Sequence, residues 1–305
     1  MEKENKLNFT EQGLKEVDFF IFIKSLFQLM KPGVMSLVIF TCVVGLIAAP
    51  VQVDFITSTL SLCAVALGAG AAGALNMWYE SDLDALMKRT CLRPIPTGKV
   101  TQNQALIFGL ATSLISVIAL YYFSNLLSAV MLAVTILFYV VIYTMWLKKL
   151  TPQNIVIGGA AGAFPPIIGW TIATGNITLE PILYFLIIFF WTPSHFWALS
   201  LYKTEDYNNA NIPMLPVVAG IKITKVNIFV YGLILYIISL TPYYFGYLGL
   251  IYFSTCLILG SYYVYLCYKL LIETVDENKF AKKIFIYSIL YLFLIFIAIL
   301  IDGII

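Results

Sequence analysis

Residues 55–99 read FITSTLSLCAVALGAGAAGALNMWYESDLDALMKRTCLRPIPTGK, and the change of character inside this stretch decides the fold. From Phe55 to Leu75 there is no charged side chain. That is the length an α-helix needs to cross a bilayer, roughly 20 apolar residues. From Asn76 onward the chain turns polar, with Glu80, Asp82, Asp84, Lys88, Arg89, Arg93 and Lys99. An apolar span therefore runs straight into a charged loop. The small side chains of ALGAGAAGAL (66–75) let neighbouring helices approach closely, which is a packing role.

The same alternation repeats along the chain. Spans are expected near 33–50, 55–75, 104–123, 126–146, 155–173, 179–199, 224–241, 245–269 and 284–302. Only 11% of the 305 residues are charged and 61% are hydrophobic. A soluble domain carries about 25% charged residues, so lipid must be the solvent over most of this surface. The fold class expected is an all-α polytopic integral membrane protein of about nine transmembrane helices, as one domain over 1–305. Residues 1–32 form its cytoplasmic or interfacial N-terminal segment. Within them 17–30, apolar with a single Lys, reads as a helix lying in the interface.

The basic residues fix the orientation. Five precede the first span (Lys3, Lys6, Lys15, Lys24, Lys31). Lys88, Arg89, Arg93 and Lys99 follow the second, Lys148 and Lys149 the fourth, and Lys203, Lys222 and Lys225 the sixth. Lys269, Lys279, Lys282 and Lys283 follow the eighth, which accounts for all 18. Every one falls on a single side, so the N-terminus is expected in the cytoplasm and the C-terminus outside. The opening MEKENKLNFTEQGLKEVDFF resembles neither a secretory signal nor a transit peptide. The plasma (inner) membrane of a bacterium is the expected location.

Other composition limits the chemistry. The five cysteines, Cys42, Cys63, Cys91, Cys256 and Cys267, form no CxxC pair and read as packing residues. A single histidine, His195, excludes bis-His haem ligation by this chain, and no zinc spacing is present. A net charge of +2 gives no nucleic-acid footprint, and no nucleic-acid partner is expected.

Two long inner loops are where function is expected. In the first, Asn76, Glu80, Asp84 and Lys88 recur every four residues, so a continued helix would stack them in one stripe. Pro94 and Pro96 are expected to stop that helix. Oxygen donors spaced this way suit Mg²⁺, which binds one or two carboxylates plus substrate phosphates. Lys88, Arg89 and Arg93 suit the remaining phosphate oxygens. Asp82 falls off the stripe and reads as a ligand to a second ion or an orienting group. Against this stands a solvated loop of mixed charge. The stripe begins on an intramembrane helix, where ionisable groups are expensive and usually functional, and that favours the metal.

The second loop follows WTPSHFWALSLYKTEDYNNANIPMLP (191–216) and supplies His195, Tyr202, Lys203, Glu205 and Asp206. His195 reads either as structural or as a base, a hydrogen-bond donor or a metal ligand. Trp191, Phe196 and Trp197 read as an interfacial belt or as a wall that steadies an allylic cation through ring faces.

The Asn76-xxx-Glu80-xxx-Asp84 stripe resembles the first metal motif of the UbiA superfamily of intramembrane prenyltransferases. The runs DLDALMKRTCLRP (82–94), YTMWLKKLTPQNIVIGGAAGAFPPIIGW (143–170) and WTPSHFWALSLYKTEDYNNANIPMLPVV (191–218) are similar to its haem-farnesylating branch. The likeness covers about residues 30–300. It implies a nine-span bundle around a central cavity, capped by the two inner loops and open sideways to the lipid bilayer. The implied substrates are farnesyl diphosphate and haem b, the product is haem O for haem–copper oxidases, and the cofactor is Mg²⁺. The implied metal ligands are Asn76, Glu80, Asp84, Asp82 and Asp206. Lys88, Arg89, Arg93, Lys148, Lys149 and Lys203 would bind diphosphate. Asn76, Glu80, Asp84, Asp206 and His195 would carry catalysis, and Tyr79, Phe196, Trp197 and Tyr202 would wall the prenyl chain. Haem A synthase or oxidase assembly factors are the protein partners implied. Glu80 departs from the Asp more usual there, and the second cluster holds only Glu205 and Asp206 as acids.

Three competing readings share part of this pattern. A quinone-type aromatic acceptor would use the same first motif; segments 154–170 and 191–218 speak for haem instead. A membrane transporter would place charges at mid-bilayer, whereas here they gather at one face. A structural subunit would not need the carboxylate stripe.

Overall fold

The computed structural model describes residues 19–87, 90–209, 212–273 and 279–304. The described chain is helical throughout, without strands. In order it forms α1 (Phe19–Leu29), α2 (Pro32–Ala48), α3 (Phe55–Tyr79), α4 (Ser81–Leu86), α5 (Gln102–Phe123) and α6 (Leu126–Leu137). A π-helical stretch (Phe138–Leu147) leads through α7 (Lys148–Leu150) to α8 (Asn154–Ala163) and α9 (Pro165–Thr174). Then come α10 (Leu179–Tyr202), α11 (Thr204–Asn209), α12 (Leu215–Val218), α13 (Gly220–Tyr244), α14 (Leu250–Ile272) and α15 (Lys279–Ile304).

Among the described residues eight helical runs are long and apolar enough to cross a bilayer, or nine when α1 and α2, bent by 49°, count as one. Leu110, Leu114, Ile118, Ile258 and Ile286 stand exposed on the outer surface, which only lipid can cover at this density. The protein is thus a multi-pass membrane protein.

α1 meets α2 at a bend of 49°. It exposes Phe19, Phe20, Ile23 and Phe27 and packs Leu29 with Ala74, Met77, Val100 and Ala105 where α3 ends and α5 begins. At the other end of α3, Asp54 accepts from the Thr57 N–H at 2.9 Å and caps the helix. That bond holds the Asp54 carboxyl below its ordinary range. The last two expected spans begin elsewhere: Phe245–Gly249 is a turn with Gly246 at φ 75°, and α14 starts at Leu250. α15 starts at Lys279, ahead of the expected 284.

Glycines set how close the helices lie. α2 and α9 cross where Gly169 faces the Cys42 carbonyl and Gly45 faces the Pro166 carbonyl, with no room for a Cβ on either. Gly73 lies on the Leu29 and Met30 carbonyls, where a Cβ would come within 3.3 Å. One core unites α10, α13, α14 and α15 through Tyr184, Trp197, Leu235, Tyr252, Tyr263 and Tyr291. Its buried hydroxyls find partners: Tyr263 meets Ser194, and Tyr291 meets Ser239, each at 2.7 Å. A smaller cluster joins Leu83 and Met87 of the first long loop to Tyr207, Ile212 and Met214 of the second, with Ile155 and Phe196 between them. The two loops therefore form one cap.

Candidate active site

The stripe forms, but not on one uninterrupted helix. α3 ends at Tyr79, Glu80 (φ −95°, ψ 9°) makes the joint, and α4 begins at Ser81. The hydrogen-bond ladder carries through it, from Glu80 N to Asn76 O at 3.0 Å and from Asp84 N to Glu80 O at 2.7 Å. Asn76, Glu80 and Asp84 are all buried, at 2%, 4% and 3% exposure. The helix ends at Leu86, well before Pro94. The chain leaves the helix at Met87, which is extended (φ −97°, ψ 128°), and the Thr90 hydroxyl donates to the freed Asp84 carbonyl at 2.9 Å. Pro94 and Pro96 fall later, in the turn.

Each member of the stripe is held by a cation. Arg93 Nη1 lies 2.7 Å from both carboxylate oxygens of Asp84. Lys148 Nζ lies 2.5 Å from Glu80 Oε1. Lys31 Nζ donates to Asn76 Oδ1, while Asn76 Nδ2 donates to Thr144 Oγ1 at 3.0 Å. The π-helical stretch before α7 brings Thr144 and Lys148 to the site together. Charges buried this deeply are tolerated when paired and hydrogen-bonded. Lys31 and Thr144 are members that sequence reasoning missed. Lys31 had been counted only for topology, and Thr144 lies inside an apolar run.

Other candidates fall elsewhere. Lys149 stands over the Tyr79 ring at 5.3 Å. Asp82 is exposed on α4, off the stripe. Lys88 and Arg89 lie outside the described residues. Asp206 is 3.9 Å from Lys203, a loose pair at the start of α11. Among the described residues no three His, Cys, Asp or Glu side chains gather as a metal cluster, so Asp82 and Asp206 are not brought to Glu80 and Asp84. Asn76, Glu80 and Asp84 nonetheless present only hard oxygen donors, which fit Mg²⁺ in kind.

His195 sits between the Trp191 ring (4.2 Å, 17°) and the Phe285 ring (4.7 Å, 23°), with Phe196 edge-on at 5.0 Å. Its Nδ1 lies 2.6 Å from Ser288 Oγ. The Ser288 hydroxyl also lies 2.7 Å from the Phe285 carbonyl, so it can donate to that carbonyl while accepting from His195, or donate to the ring nitrogen itself. The ring nitrogen on the Ser288 side is therefore Nδ1, and Nε2 is the nitrogen left for other contacts. No hydrogen bond or ion pair joins His195 to Asp206 among the described residues. Trp197 has no exposed surface and packs edge-on against Tyr231 inside the core. It borders no space where a prenyl chain could lie, which corrects its place in the expected wall. Tyr202 packs edge-on against Phe285, 6.0 Å away, and Phe196 belongs to the cap.

An apolar cavity does open beside the stripe. Val34, Met35 and Val38 of α2, Val65, Ala69 and Ala72 of α3, Leu132 and Ile136 of α6, Tyr139, and Ala161 and Gly162 of α8 line it. Lys31 is the one charged residue in that lining. The wall is thus mostly aliphatic and small, and Tyr139 is its one aromatic residue among the described residues.

Residues 37–289 match the model of the UbiA prenyltransferase family. The chain belongs to the UbiA prenyltransferase family. It is 62% identical to the protoheme IX farnesyltransferase of Pelagibacter ubique, over 96% of this chain and 97% of that one. It is 52% identical to protoheme IX farnesyltransferase 2 of Mesorhizobium japonicum, over 92% and 90%. Among UbiA-fold structures, one from work on digeranylgeranylglyceryl phosphate synthase superposes with a TM-score of 0.78 at 19% identity, covering 93% of this chain and 99% of that one. A UbiA homologue from Archaeoglobus fulgidus bound to GPP and Mg²⁺ gives 0.62 at 15%, covering 90% and 99%. At those identities the likeness is one of fold.

Proposed function

We propose that this UbiA prenyltransferase transfers the farnesyl group of farnesyl diphosphate to the 2-vinyl group of haem b, with addition of water, to make haem O. The nearly full-length identity to the Pelagibacter protein carries the choice of acceptor. The donor is supported by the geometry: an apolar cavity suited to an isoprenoid meets, at Lys31, a cluster of buried carboxylates and cations suited to a diphosphate. The C1–O bond of the donor breaks, diphosphate departs, C1 bonds to the terminal vinyl carbon, and water adds to the inner vinyl carbon with loss of a proton.

The chain's own residues divide this work. Arg93 and Lys148 exchange carboxylate for diphosphate oxygens, since both already lie at the stripe with donors to spare. Lys149 and Lys203 are further candidate cations for the diphosphate, and Lys88 and Arg89, outside the described residues, are assigned the same role from the sequence. Asn76, Glu80 and Asp84 are the residues to hold Mg²⁺. When bound, the ion would draw charge from the leaving diphosphate. The aliphatic cavity excludes water from the chain and its developing cation. His195 serves the acceptor, as a ligand to the haem iron or a base towards the incoming water. The orientation follows the basic residues, cap towards the cytoplasm of a bacterium.

The test is haem extraction from membranes expressing the wild type and Asp84→Ala, followed by chromatography and mass measurement. Haem O made by the wild type and absent from the variant is the expected outcome. No haem O from the wild type, with farnesyl diphosphate, haem b and Mg²⁺ supplied, would overturn the proposal.

A further inference from the structure

Lys31 is the one described non-glycine residue with a positive φ (φ 55°, ψ 60°). A side chain in that left-handed region is strained, and such strain persists only where the surroundings impose it. Here they do: α1 docks through Leu29 where α3 ends and α5 begins, and α2 leaves at 49°. The turn between them throws the Lys31 side chain onto Asn76.

What Lys31 meets there is unusual for the site. Arg93 and Lys148 each have a carboxylate. Lys31 has the neutral Asn76 amide, whose oxygen is turned towards it because Thr144 holds the nitrogen. A partly buried ammonium paired with an amide is under-compensated. It sits where the apolar cavity meets the polar stripe, which is where the head and tail of an amphiphilic anion join.

We propose that Lys31 is a ligand for the diphosphate of the prenyl donor and that its move to a phosphate oxygen frees Asn76 Oδ1. This rests on the prenyl-diphosphate reading of the same site. The ammonium is a compact point charge on a flexible stem, which suits such a transfer between two oxygens. The strained turn fixes the start of that stem, so the charge lies at the cavity mouth before any donor arrives.

The test uses the full chain in lipid nanodiscs. Inorganic pyrophosphate should slow modification of Lys31 by an amine-reactive reagent, read by peptide mass, while Lys222 on the surface reacts unchanged. Lys31→Met should raise both the KM for farnesyl diphosphate and the inhibition constant of pyrophosphate by about tenfold or more, the usual loss for a charge-assisted contact. The KM for haem should stay where it is, and Lys31→Arg should recover most of the loss. Unchanged pyrophosphate inhibition in Lys31→Met overturns the proposal. So does equal labelling of wild-type Lys31 with and without pyrophosphate, which needs no variant to fold. If the wild type turns over no farnesyl diphosphate yet pyrophosphate still protects Lys31, the donor reading fails and the anion site stands.

Discussion

His195 Nδ1 and Ser288 Oγ share a hydrogen bond across 2.6 Å, and the same hydroxyl lies 2.7 Å from the Phe285 carbonyl. α10 and α15 are joined at this point, and the bond fixes the orientation of the imidazole ring. Ser288→Ala removes this partner, leaves the buried Nδ1 without its hydrogen bond, and loosens the ring. A loss of about 1–3 kcal/mol is expected. It should appear as weaker haem binding in an absorbance titration and lower turnover, with Ser288→Thr close to the wild type. If His195→Ala leaves both haem affinity and turnover intact, the stack on Trp191 and Phe285 is packing alone.

Arg93 and Asp84 should be separable in stability but not in activity. Removing one partner of a buried ion pair costs about 3–5 kcal/mol because the other charge stays unpaired. Arg93→Met should therefore lower the thermal midpoint sharply. The double variant Arg93→Met with Asp84→Asn should recover much of that midpoint and remain inactive. A double variant as unstable as the single one would mean that the pair does not act as a unit.

The spans were legible because their signal is additive: about 20 apolar residues in a row survive errors at either end. The turn Phe245–Gly249 was misread because Phe245, Tyr247 and Leu248 are as apolar as the helix they precede. The stripe was legible as spacing, yet its counter-ions were only partly so. Arg93 follows in the same loop, but Lys31 and Thr144 are 45 and 68 residues from Asn76. A glycine-tight contact between α1 and α3 and a π-helical turn bring them in, and neither leaves a periodic mark. Trp197 was misplaced because an aromatic residue near a loop looks the same in sequence whether it lines a cavity or fills a core.

Gly162 faces open space, with nothing within 4 Å of a Cβ placed there, and it lines the apolar cavity. A bulky side chain at this position should take volume from the prenyl chain without disturbing the fold. Gly162→Leu should raise the KM for farnesyl diphosphate by roughly tenfold, in line with a few lost methylene contacts at about 0.8 kcal/mol each. Dimethylallyl diphosphate, too short to reach the obstruction, should lose little. Equal losses for both donors would place the chain elsewhere.

Gly169 tests the helix crossing that forms one side of the bundle. A Cβ there would run into the Cys42 carbonyl and crowd Leu46 N, while Gly45 meets the Pro166 carbonyl in the same way from the other helix. Both obstacles are backbone, so no rotamer change relieves them and α2 must shift away from α9. Overpacking typically costs about 1–3 kcal/mol, and a backbone obstacle puts Gly169→Ala at the upper end. The variant should show a lower thermal midpoint in detergent. A shift of α2 would also carry Val34, Met35 and Val38 away from the cavity, so the KM for the donor should rise along with the instability. An unchanged midpoint would mean that the crossing yields more easily than its glycines indicate.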